Sequence, residues 1–432
     1  MSYRVLIRAF TLRRDIASAK LIAETLRRRH GCSVVIGCGR NFRRYLNSWR
    51  PHAVIVNVIS CIQQAREQSL PGAVVVHWPG EGANRAEVSD PHMLNVRGGT
   101  ALLDKLDLFL PWGDFTRQVF VDEFGEANAN KAVACGNYRL DMLKYSPKPD
   151  LARRTVGFIG RFGGLNFFDR RPTITSLIDI PENVKKLQFM IEQFAAMLKL
   201  IDAIVKNTTI NVSIRPHPLE APEGYQRLLA KYPGRVEVDD SFDFAGWVYR
   251  QKAILTPAST SFIEPYLLKI PLINIDHLLE QENFLAKREI FTSYDGPGYK
   301  PRTLDETLDL IRDPNLQAGS ERFPKMEEYL KDVHGWPATE SAIARGCAEI
   351  MAKLKERRFP VGLHSPRALV DLADTAHFYR AHWLGGNYHA NFQFCPAFHK
   401  FPNYYRQAVD NLLANQPQPP RGADPEMWPT GT

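Results

Sequence analysis

The sequence predicts an α/β fold of two Rossmann-like, doubly wound domains that face each other across a cleft. Apolar, β-branched runs alternate with helical patterns in two successive series, and such runs are typical of buried parallel strands. A proline-punctuated stretch, Tyr145-Ser-Pro-Lys-Pro-Asp150, separates the two series. The chain has 432 residues, more than one ordinary core holds, which also favours two domains.

The first series predicts a parallel sheet in the N-terminal third. Its expected strands are 4–10, 33–37, 52–58, 73–78, 106–110 and 131–135, with a helix over 15–29. The stretch Ala9-Phe-Thr-Leu-Arg-Arg14 follows the first strand, where a dinucleotide-binding domain has the pattern GxGxxG. This departure argues against a dinucleotide cofactor.

The second series predicts another sheet and then a helical region. Its expected strands are 155–159, 210–214, 235–238, 253–255 and 272–275, with helices over 183–206 and 222–231. Further helices are expected over 305–312, 322–332 and 338–357. The last segment, 359–432, is dense in aromatic residues and histidine and ends in a tail rich in proline and glycine. We therefore expect a helical and aromatic-rich C-terminal extension.

The composition indicates a globular protein with a negatively charged partner. Hydrophobic residues make up 44% of the chain and charged residues 24%, a balance that does not favour disorder. The formal net charge of +8 is compatible with nucleic acid, anionic lipid or a nucleotide-sugar. The six cysteines show no CxxC spacing, which favours buried reduced thiols over a metal site.

The N-terminus and the hydropathy predict a cytoplasmic protein. A strand pattern begins almost at residue 1, with no apolar segment and no small-residue cleavage site of a signal peptide. No apolar run approaches the roughly 20 residues that span a bilayer.

Two segments of the second series combine a predicted strand with groups that bind anions. Arg215 and His217 stand at the end of one strand, each followed by a proline. Ser259, Thr260 and Ser261 follow the strand expected over 253–255, where a loop opens a helix whose free N–H groups attract anions. Ligands of open parallel sheets bind at the carboxyl ends of the strands. The pair of segments therefore predicts a phosphate-bearing ligand.

These motifs resemble the GT-B glycosyltransferases of bacterial surface-carbohydrate synthesis. The group includes bacterial sialyltransferases and CDP-glycerol glycerophosphotransferases. The resemblance rests on Arg215-Pro-His-Pro218, on the Ser/Thr loop, and on Phe262-Ile-Glu-Pro-Tyr-Leu-Leu-Lys-Ile-Pro-Leu-Ile273. It continues in Trp78-Pro-Gly-Glu-Gly82, Leu110-Pro-Trp-Gly113 and Cys135-Gly-Asn-Tyr-Arg-Leu-Asp141. In the last of these, Tyr138 replaces the family's usual proline. The resemblance covers about residues 50–280.

The resemblance implies transfer of a sugar from a nucleotide-activated donor to a surface polysaccharide or a lipid-linked glycan. A CMP- or CDP-linked donor is favoured by analogy, and no metal or other cofactor is expected. The predicted domains are 1–146 on the acceptor side, 152–335 on the nucleotide-donor side, and 336–432 as a helical crossover and aromatic-rich extension. That extension either packs against both domains, binds the acceptor or another subunit, or contacts an anionic membrane. Nucleic acid is not an expected partner.

For the two residues of the Arg-Pro-His-Pro motif, a role in donor binding competes with a structural one. By the resemblance, His217 contacts the donor phosphate, where a protonated imidazole offsets the charge of the leaving group. The alternative is a structural hydrogen bond at the strand end. Arg215 is expected either to hold the phosphate through two hydrogen bonds or to pair with Glu220.

The remaining donor-site candidates come from the Ser/Thr loop, its helix and a glycine turn. The hydroxyls of the loop bind phosphate or cap the helix. Glu264 is the candidate for the donor ribose hydroxyls, by analogy with acids in the same helix of many GT-B enzymes. The alternative is a surface carboxylate. Gly160 and Gly163 belong to a turn whose backbone amides can approach a phosphate.

Glu81 is the candidate catalytic base. It lies in a glycine-flanked turn after a predicted strand, where a carboxylate is exposed to an acceptor hydroxyl. The alternative is an ordinary turn residue. Arg139 and Asp141 are expected at the domain hinge or over the donor. The pair Asp239-Asp240 follows a strand in the wrong fold for a DxD metal motif, so we reject that interpretation.

Two other functions stay open at this point. A non-hydrolysing sugar-nucleotide epimerase has the same twin-domain cleft and similar phosphate-binding motifs. A non-catalytic nucleotide-sugar-binding module would bind the donor and transfer nothing.

Overall fold

The structure is a computed structural model that describes most of the chain. The described residues are 2–80, 103–145, 155–168, 172–179, 183–257, 259–278, 298–318, 324–337, 340–360, 365–383 and 404–414. They form two parallel sheets with helices packed against them, as the sequence predicts.

The first sheet and its helices form the N-terminal lobe. Its strands are β1 (Arg4–Arg8), β2 (Ser33–Gly37), β3 (Ala53–Val56), β4 (Val74–His77) and β5 (Leu108–Phe109). They are parallel in the order β2-β1-β3-β4-β5, so β1 and β3 are adjacent.

The second sheet forms the second lobe. Its strands are β6 (Thr155–Ile159), β7 (Asn211–Arg215), β8 (Val236–Val238), β9 (Gln251–Thr256) and β10 (Leu272–Asn274). They are parallel in the order β10-β9-β6-β7-β8, which places β6 between β7 and β9.

The α-helices in the described residues occur between and after the strands. In chain order they are α1 (Leu12–His30), α2 (Arg40–Arg44), α3 (Ile62–Gln68), α4 (Asp114–Phe124), α5 (Asp141–Tyr145), α6 (Ile174–Asp179), α7 (Asn183–Asn207), α8 (Gln226–Lys231), α9 (Phe244–Tyr249), α10 (Ile263–Leu267), α11 (Leu304–Arg312), α12 (Pro324–His334), α13 (Ala342–Lys355), α14 (Arg367–Trp383) and α15 (Tyr404–Ala414). No helix of the described part of the chain is both long enough and apolar enough to cross a membrane.

The strand expected over residues 131–135 is wrong. Ala132 makes a single parallel bridge to Phe109, because β5 is only two residues long and offers no longer partner. The segment stays extended and bonded to its neighbour: the amide of Val133 donates to the carbonyl of Phe109, 3.0 Å away. The other ten predicted strands are present. Six of them are one to three residues shorter than expected, β9 is longer, β7 is shifted by one residue, and β2 and β6 have the expected bounds.

Helix α1 packs its apolar residues into the core of the N-terminal lobe. Its apolar residues, among them Leu12, Ile16 and Leu26, are buried in the core beneath β1. The helix ends at Gly31, whose φ of 64° allows its amide to bond back to the carbonyl of Arg27. The helix therefore starts just after β1, and its N-terminus lies at the carboxyl edge of the sheet.

The chain returns to the N-terminal lobe after the second sheet. Helix α13 packs against α1, and its residues share the core of β1 and β4. Asp141 fixes the start of α13, because its Oδ2 accepts hydrogen bonds from the hydroxyl of Ser341 at 2.7 Å and the amide of Ile343 at 2.8 Å. The residue expected at the hinge thus joins α5 to α13. The predicted domain limits stay predictions.

Gly346 of α13 allows this helix to approach the fully buried Trp78. A Cβ atom at position 346 would lie 2.3 Å from the Trp78 ring, closer than atoms can stand. We expect Gly346→Ala to lower the free energy of unfolding by about 1–2 kcal/mol, because overpacking outweighs the gain in helix propensity. Urea denaturation measures this difference. The exposed Ala348→Gly variant gives the propensity effect alone, about 1 kcal/mol. A Gly346→Ala protein more stable than wild type would contradict the close packing.

Candidate active site

Three loops meet at the carboxyl edge of the second sheet. Strand β6 lies between β7 and β9, so the loops that follow these strands are neighbours. The β6 loop carries Gly160 and Gly163, the β7 loop carries His217, and the β9 loop carries Ser259 and Ser261. The structure thus places the predicted donor-binding segments at one edge of one sheet, where open α/β sheets bind ligands.

A buried carboxylate, Glu220, holds the first two loops together. Its side chain is fully buried. Oε1 accepts hydrogen bonds from the amide of Phe162 at 2.6 Å and the amide of His217 at 3.1 Å. Oε2 accepts from the hydroxyl of Tyr225 at 2.5 Å. One side chain therefore fixes the backbone of the glycine turn and the backbone of the His-Pro turn.

The glycines of the β6 loop fit closely around this carboxylate. The Gly160 amide donates to the Arg215 carbonyl at 2.7 Å, and a Cβ at this position would lie 3.0 Å from Oε1 of Glu220. A Cβ at Gly163 would lie 3.3 Å from Cβ of Leu219 and 3.8 Å from Nδ1 of His217. The glycine turn and the His217 imidazole thus lie close together, and the absence of side chains on the two glycines allows this approach.

The His217 ring is oriented by its own turn. Its Nδ1 accepts a hydrogen bond from the amide of Leu219 at 3.1 Å. In the neutral ring the proton therefore resides on Nε2, which becomes the donor nitrogen. The ring is half-buried. This arrangement suits a group that donates a proton to a phosphate oxygen.

Arg215 pairs with Asp239 rather than with Glu220, the alternative expected from the sequence. The Arg215 side chain is 5% exposed, and its guanidinium forms an ion pair with Asp239 and donates to the carbonyl and hydroxyl oxygens of Ser241. Asp239 also accepts from Arg250 at 2.6 Å. These contacts join the ends of β7 and β8. Phosphate binding by Arg215 stays a prediction.

The Ser/Thr loop turns into α10 through a short 3₁₀ turn. The hydroxyl of Ser259 accepts from the amide of Ser261 at 3.3 Å, and the carbonyl of Ser259 accepts from the amide of Phe262, also at 3.3 Å. Ser259 therefore caps the 3₁₀ turn, whereas α10 itself has Phe262 at its N-cap position and no side-chain capping bond. Phosphate binding by this loop stays a prediction. The side chain of Thr260 lies outside what the structure describes.

Two arginines of the N-terminal lobe reach the second lobe. Arg139 forms an ion pair with Glu264 at 3.3 Å. Burial raises the pKa of Glu264, and the positive charge of Arg139 opposes that rise. Arg13 donates to the carbonyl of Glu220 at 3.2 Å and lies 3.8 Å from the carboxylate of Asp240. Arg139 and Arg13 of the N-terminal lobe thus contact acidic groups and a carbonyl oxygen of the second lobe.

Arg13 escaped the sequence analysis although a signal was available. It stands with Arg14 in the first turn of α1, where the helix dipole disfavours positive charge. Two arginines at a position that the helix dipole disfavours indicate that other contacts hold them there. The carboxylates of the rejected DxD-like pair hold arginines: Asp239 pairs with Arg215, and Asp240 lies beside Arg13. Within the described residues, no cluster of three His, Cys, Asp or Glu side chains is placed to hold a metal ion.

On the N-terminal side of the cleft, Asp15 organises the loop after β1. Its Oδ2 accepts from the amides of Phe10 at 2.9 Å and Thr11 at 3.0 Å, and from the side-chain amide of Asn57 at 2.8 Å. Its Oδ1 accepts from Arg14 at 2.7 Å. Burial alone would raise the pKa of Asp15, but Arg14 and these donors hold the pKa below its usual value. The carboxylate is therefore ionised, saturated with donors and poorly suited to act as a base.

The predicted base, Glu81, lies outside the described residues. The preceding residue, Gly80, is anchored at the carboxyl edge of the first sheet, because its amide donates to the carbonyl of Asn57 at 3.1 Å. A Cβ on Gly80 would lie 3.0 Å from Nδ2 of Asn57. Gly80, the residue before Glu81, therefore lies at the sheet edge close to Asn57.

Glu220 gives the site a measurable pH dependence. Burial raises the pKa of its carboxyl group to about 7, against the lowering effect of its three donors. Because the folded state holds the proton more tightly than the unfolded chain, this contribution to stability is complete below about pH 4.5 and is lost as the pH rises through 7.

The side chain of Glu220→Gln does not titrate. We expect the unfolding free energy of this variant, minus that of wild type, to rise by about 3 kcal/mol from pH 4.5 to pH 8. Urea denaturation at a series of pH values measures the difference. The exposed Glu223→Gln variant, from the same loop, is the control for the loss of a carboxylate as such. A flat difference for Glu220→Gln would show that the buried carboxyl group does not titrate in this range.

Comparison with solved structures finds this architecture in proteins of low sequence identity. The wall teichoic acid polymerase TagF, from a crystal soaked with CDPG, has a TM-score of 0.52 at 10% identity, over 82% of this chain and 89% of that chain. The S. aureus MnaA–UDP complex has a TM-score of 0.50 at 14% identity, over 84% and 100%. The Methanocaldococcus jannaschii UDP-GlcNAc 2-epimerase, with UDP-GlcNAc and UDP, has a TM-score of 0.47 at 12% identity, over 81% and 99%.

Sequence comparisons give no family for the chain. No protein-family profile matches it, and no curated protein matches it by sequence. At 10–14% identity the structural likeness is one of fold. With its two parallel five-stranded sheets, this chain has the GT-B fold that its motifs predict.

Proposed function

We propose that the protein is a metal-independent GT-B glycosyltransferase that moves a sugar from a nucleotide-activated donor to a surface polysaccharide or lipid-linked glycan. The observation that carries the proposal is the meeting of the β6, β7 and β9 loops at one sheet edge, with His217 beside the glycine turn. Amides, an imidazole and hydroxyls gathered in this way suit the phosphates of a nucleotide donor.

In the proposed reaction, an acceptor hydroxyl attacks the anomeric carbon of the donor sugar. A new C–O bond forms, and the bond from that carbon to the leaving phosphate breaks. The proton of the hydroxyl goes to the carboxylate of Glu81. Nε2–H of His217 donates to the leaving phosphate, while Glu220 holds the backbone of both phosphate loops in place.

The remaining donor contacts follow from the same edge of the sheet. Ser259, Thr260 and Ser261 offer hydroxyl and amide donors to the phosphates. Glu264 binds the ribose hydroxyls after exchanging its ion pair with Arg139. Arg215 acts on the donor through the loop that it fixes to Asp239, or directly once a phosphate competes with that carboxylate.

The nucleotides seen in proteins of the same fold support a nucleotide donor. TagF was soaked with CDPG, and the S. aureus MnaA structure holds UDP. We favour a CMP- or CDP-linked donor on the motif resemblance. Location in the cytoplasm and contact with an anionic membrane belong to the same proposal.

A sugar-nucleotide epimerase is the second candidate, because it has the same twin-domain cleft and similar phosphate-binding motifs, and the fold alone does not separate it from a transferase. A thermal-shift panel of CMP, CDP, UDP and GDP identifies the nucleotide, since a ligand raises apparent stability by mass action. Incubation with the matching nucleotide-sugar, without acceptor, then separates the functions. An epimerase converts the sugar, a transferase hydrolyses it slowly, and a binding module leaves it unchanged. Conversion to an epimer would refute the transferase.

His217→Ala tests the leaving-group role. We expect a loss of about tenfold to a hundredfold in nucleotide affinity or transfer rate, because one charge-assisted phosphate contact disappears. His217→Asn is the matched variant: its Oδ1 can still accept from the Leu219 amide, but it lacks the Nε2 donor. Both variants should lose activity. If His217→Asn stays fully active, the histidine serves only its own turn.

Glu81→Gln tests the proposed base. The change keeps size and polarity but removes the proton acceptor, so we expect turnover to fall by roughly a hundredfold to ten-thousandfold with nucleotide affinity nearly unchanged. Steady-state kinetics and calorimetry with the nucleotide measure the two effects. Normal turnover would make Glu81 a turn residue, and lost nucleotide binding would move it to the donor site.

A further inference from the structure

The ion pair of Arg139 with Glu264 joins the two lobes within the cleft. Nη2 of Arg139 lies 3.3 Å from Oε1 of Glu264, and their side chains are 25% and 11% exposed. The other arginine that crosses the cleft, Arg13, stands 3.8 Å from Asp240, whose side chain is 63% exposed. Salt and water screen a partly buried ion pair less than an exposed one. The pair of Arg139 with Glu264 is therefore the stronger of these two contacts.

Hydrogen bonds fix the turn that carries Arg139. The amide of Arg139 donates to Oδ1 of Asn137 at 3.0 Å. The amide of Asn137 donates to the carbonyl of His334 at 2.9 Å, and its side-chain amide lies 2.9 Å from Nδ1 of the same histidine. Nη1 of Arg139 donates to the carbonyl of Gly80 at 3.5 Å. Because the turn is already ordered, the ion pair forms at a small further cost in conformational entropy.

The carboxylate of Glu264 depends on Arg139 for compensation of its charge. Burial raises the pKa of Glu264, and the positive charge of Arg139 is the main effect that opposes this rise. Without the arginine the carboxylate is left buried and uncompensated, which favours any new hydrogen-bond donor. Ribose hydroxyls are such donors. Arg139 and the ribose of the proposed donor therefore compete for one carboxylate.

We propose that the ion pair of Arg139 with Glu264 is an autoinhibitory latch on the donor site. While the latch is formed, Glu264 is occupied, and a nucleotide binds its ribose only after displacing the guanidinium, which keeps the carbonyl of Gly80. Because only the open fraction of the protein is competent for the ribose, the latch lowers nucleotide affinity. Loss of the arginine then strengthens binding. The inference concerns regulation of the donor site and so rests on the proposed function.

The latch acts on the ribose hydroxyls rather than on the phosphates. Among the described residues, the guanidinium of Arg139 bonds to Gly80 and Glu264, whereas Glu220 holds the two phosphate loops. A nucleotide that keeps its phosphates but lacks both ribose hydroxyls is therefore insensitive to the latch. The ratio of the two affinities isolates the latch, because the loss of one positive charge near the phosphates affects both nucleotides alike.

The experiment measures the affinity of the full-length protein for CDP and for dideoxy-CDP, which lacks both ribose hydroxyls, by calorimetry. We expect Arg139→Gln to raise the preference for CDP about fivefold above that of wild type, as the loss of a competing ion pair does. If the thermal-shift panel selects UDP or GDP, the corresponding pair of nucleotides is used. An unchanged or lower preference in Arg139→Gln would overturn the latch.

Arg357→Gln is the matched control. Arg357 pairs with Asp107 at 2.8 Å, and the Asp107 side chain is 12% exposed, close to the value for Glu264. Asp107 directly precedes β5 and thus lies at the edge of the first sheet opposite the cleft. We expect Arg357→Gln to keep the wild-type preference for CDP. A rise as large as that of Arg139→Gln would show that the effect is not specific to the cleft and would overturn the proposal.

Glu264→Gln tests whether the carboxylate mediates the effect. We expect this variant to lose most of the preference for CDP, and Arg139→Gln to add nothing in its background, because a cycle of single and double variants isolates the pair. A full effect of Arg139→Gln without the carboxylate would refute the latch. If CDP binds but Arg139→Gln strengthens nothing, the latch alone fails. If neither wild type nor Arg139→Gln binds any nucleotide, the proposed function fails and the latch with it.

Discussion

The buried carboxyl group of Glu220 is the interaction on which the candidate site depends. It accepts from the backbone of the glycine turn after β6 and from the backbone of the His-Pro turn after β7. Two loops that follow different strands are thereby held in one geometry, and a third donor, the Tyr225 hydroxyl, completes the coordination. The cost of burying the carboxylate appears as its raised pKa, about 7, which ties the geometry of the site to pH near neutrality.

In the N-terminal lobe another buried carboxyl group, that of Asp15, holds a loop by its backbone, but the pKa of this group is lowered. Asp15 also binds the backbone of a loop after a central strand, but Arg14 pairs with it and keeps it ionised. Among the described residues, Glu220 forms no such ion pair, and Arg13 donates to its carbonyl oxygen instead. The pKa of Asp15 in the first lobe is thus lowered and that of Glu220 in the second lobe is raised, so a fall in pH through 7 protonates Glu220 first.

Two arginines contact the second lobe from the N-terminal lobe across the cleft. Arg13 and Arg139 leave the N-terminal lobe and meet Glu220, Asp240 and Glu264 of the second. The contact of Arg139 occupies Glu264, which the proposed reaction needs for the donor ribose. In that proposal the donor replaces this contact with its own ribose hydroxyls, which would couple donor binding to the relative position of the lobes.

The sequence by itself determined the two-sheet α/β fold and the edge where the candidate donor-binding segments gather. Buried parallel strands need continuous apolar runs, and the residues after each run lie at one edge of the sheet whatever else the chain does. Tertiary structure decided which side chains form ion pairs. Arg215 meets Asp239 because β7 and β8 are neighbours, although Glu220 is closer in sequence. The ion pair of Arg139 with Glu264 and the bridging role of Arg13 likewise depend on what folding places opposite them, and no local pattern of residue types encodes that.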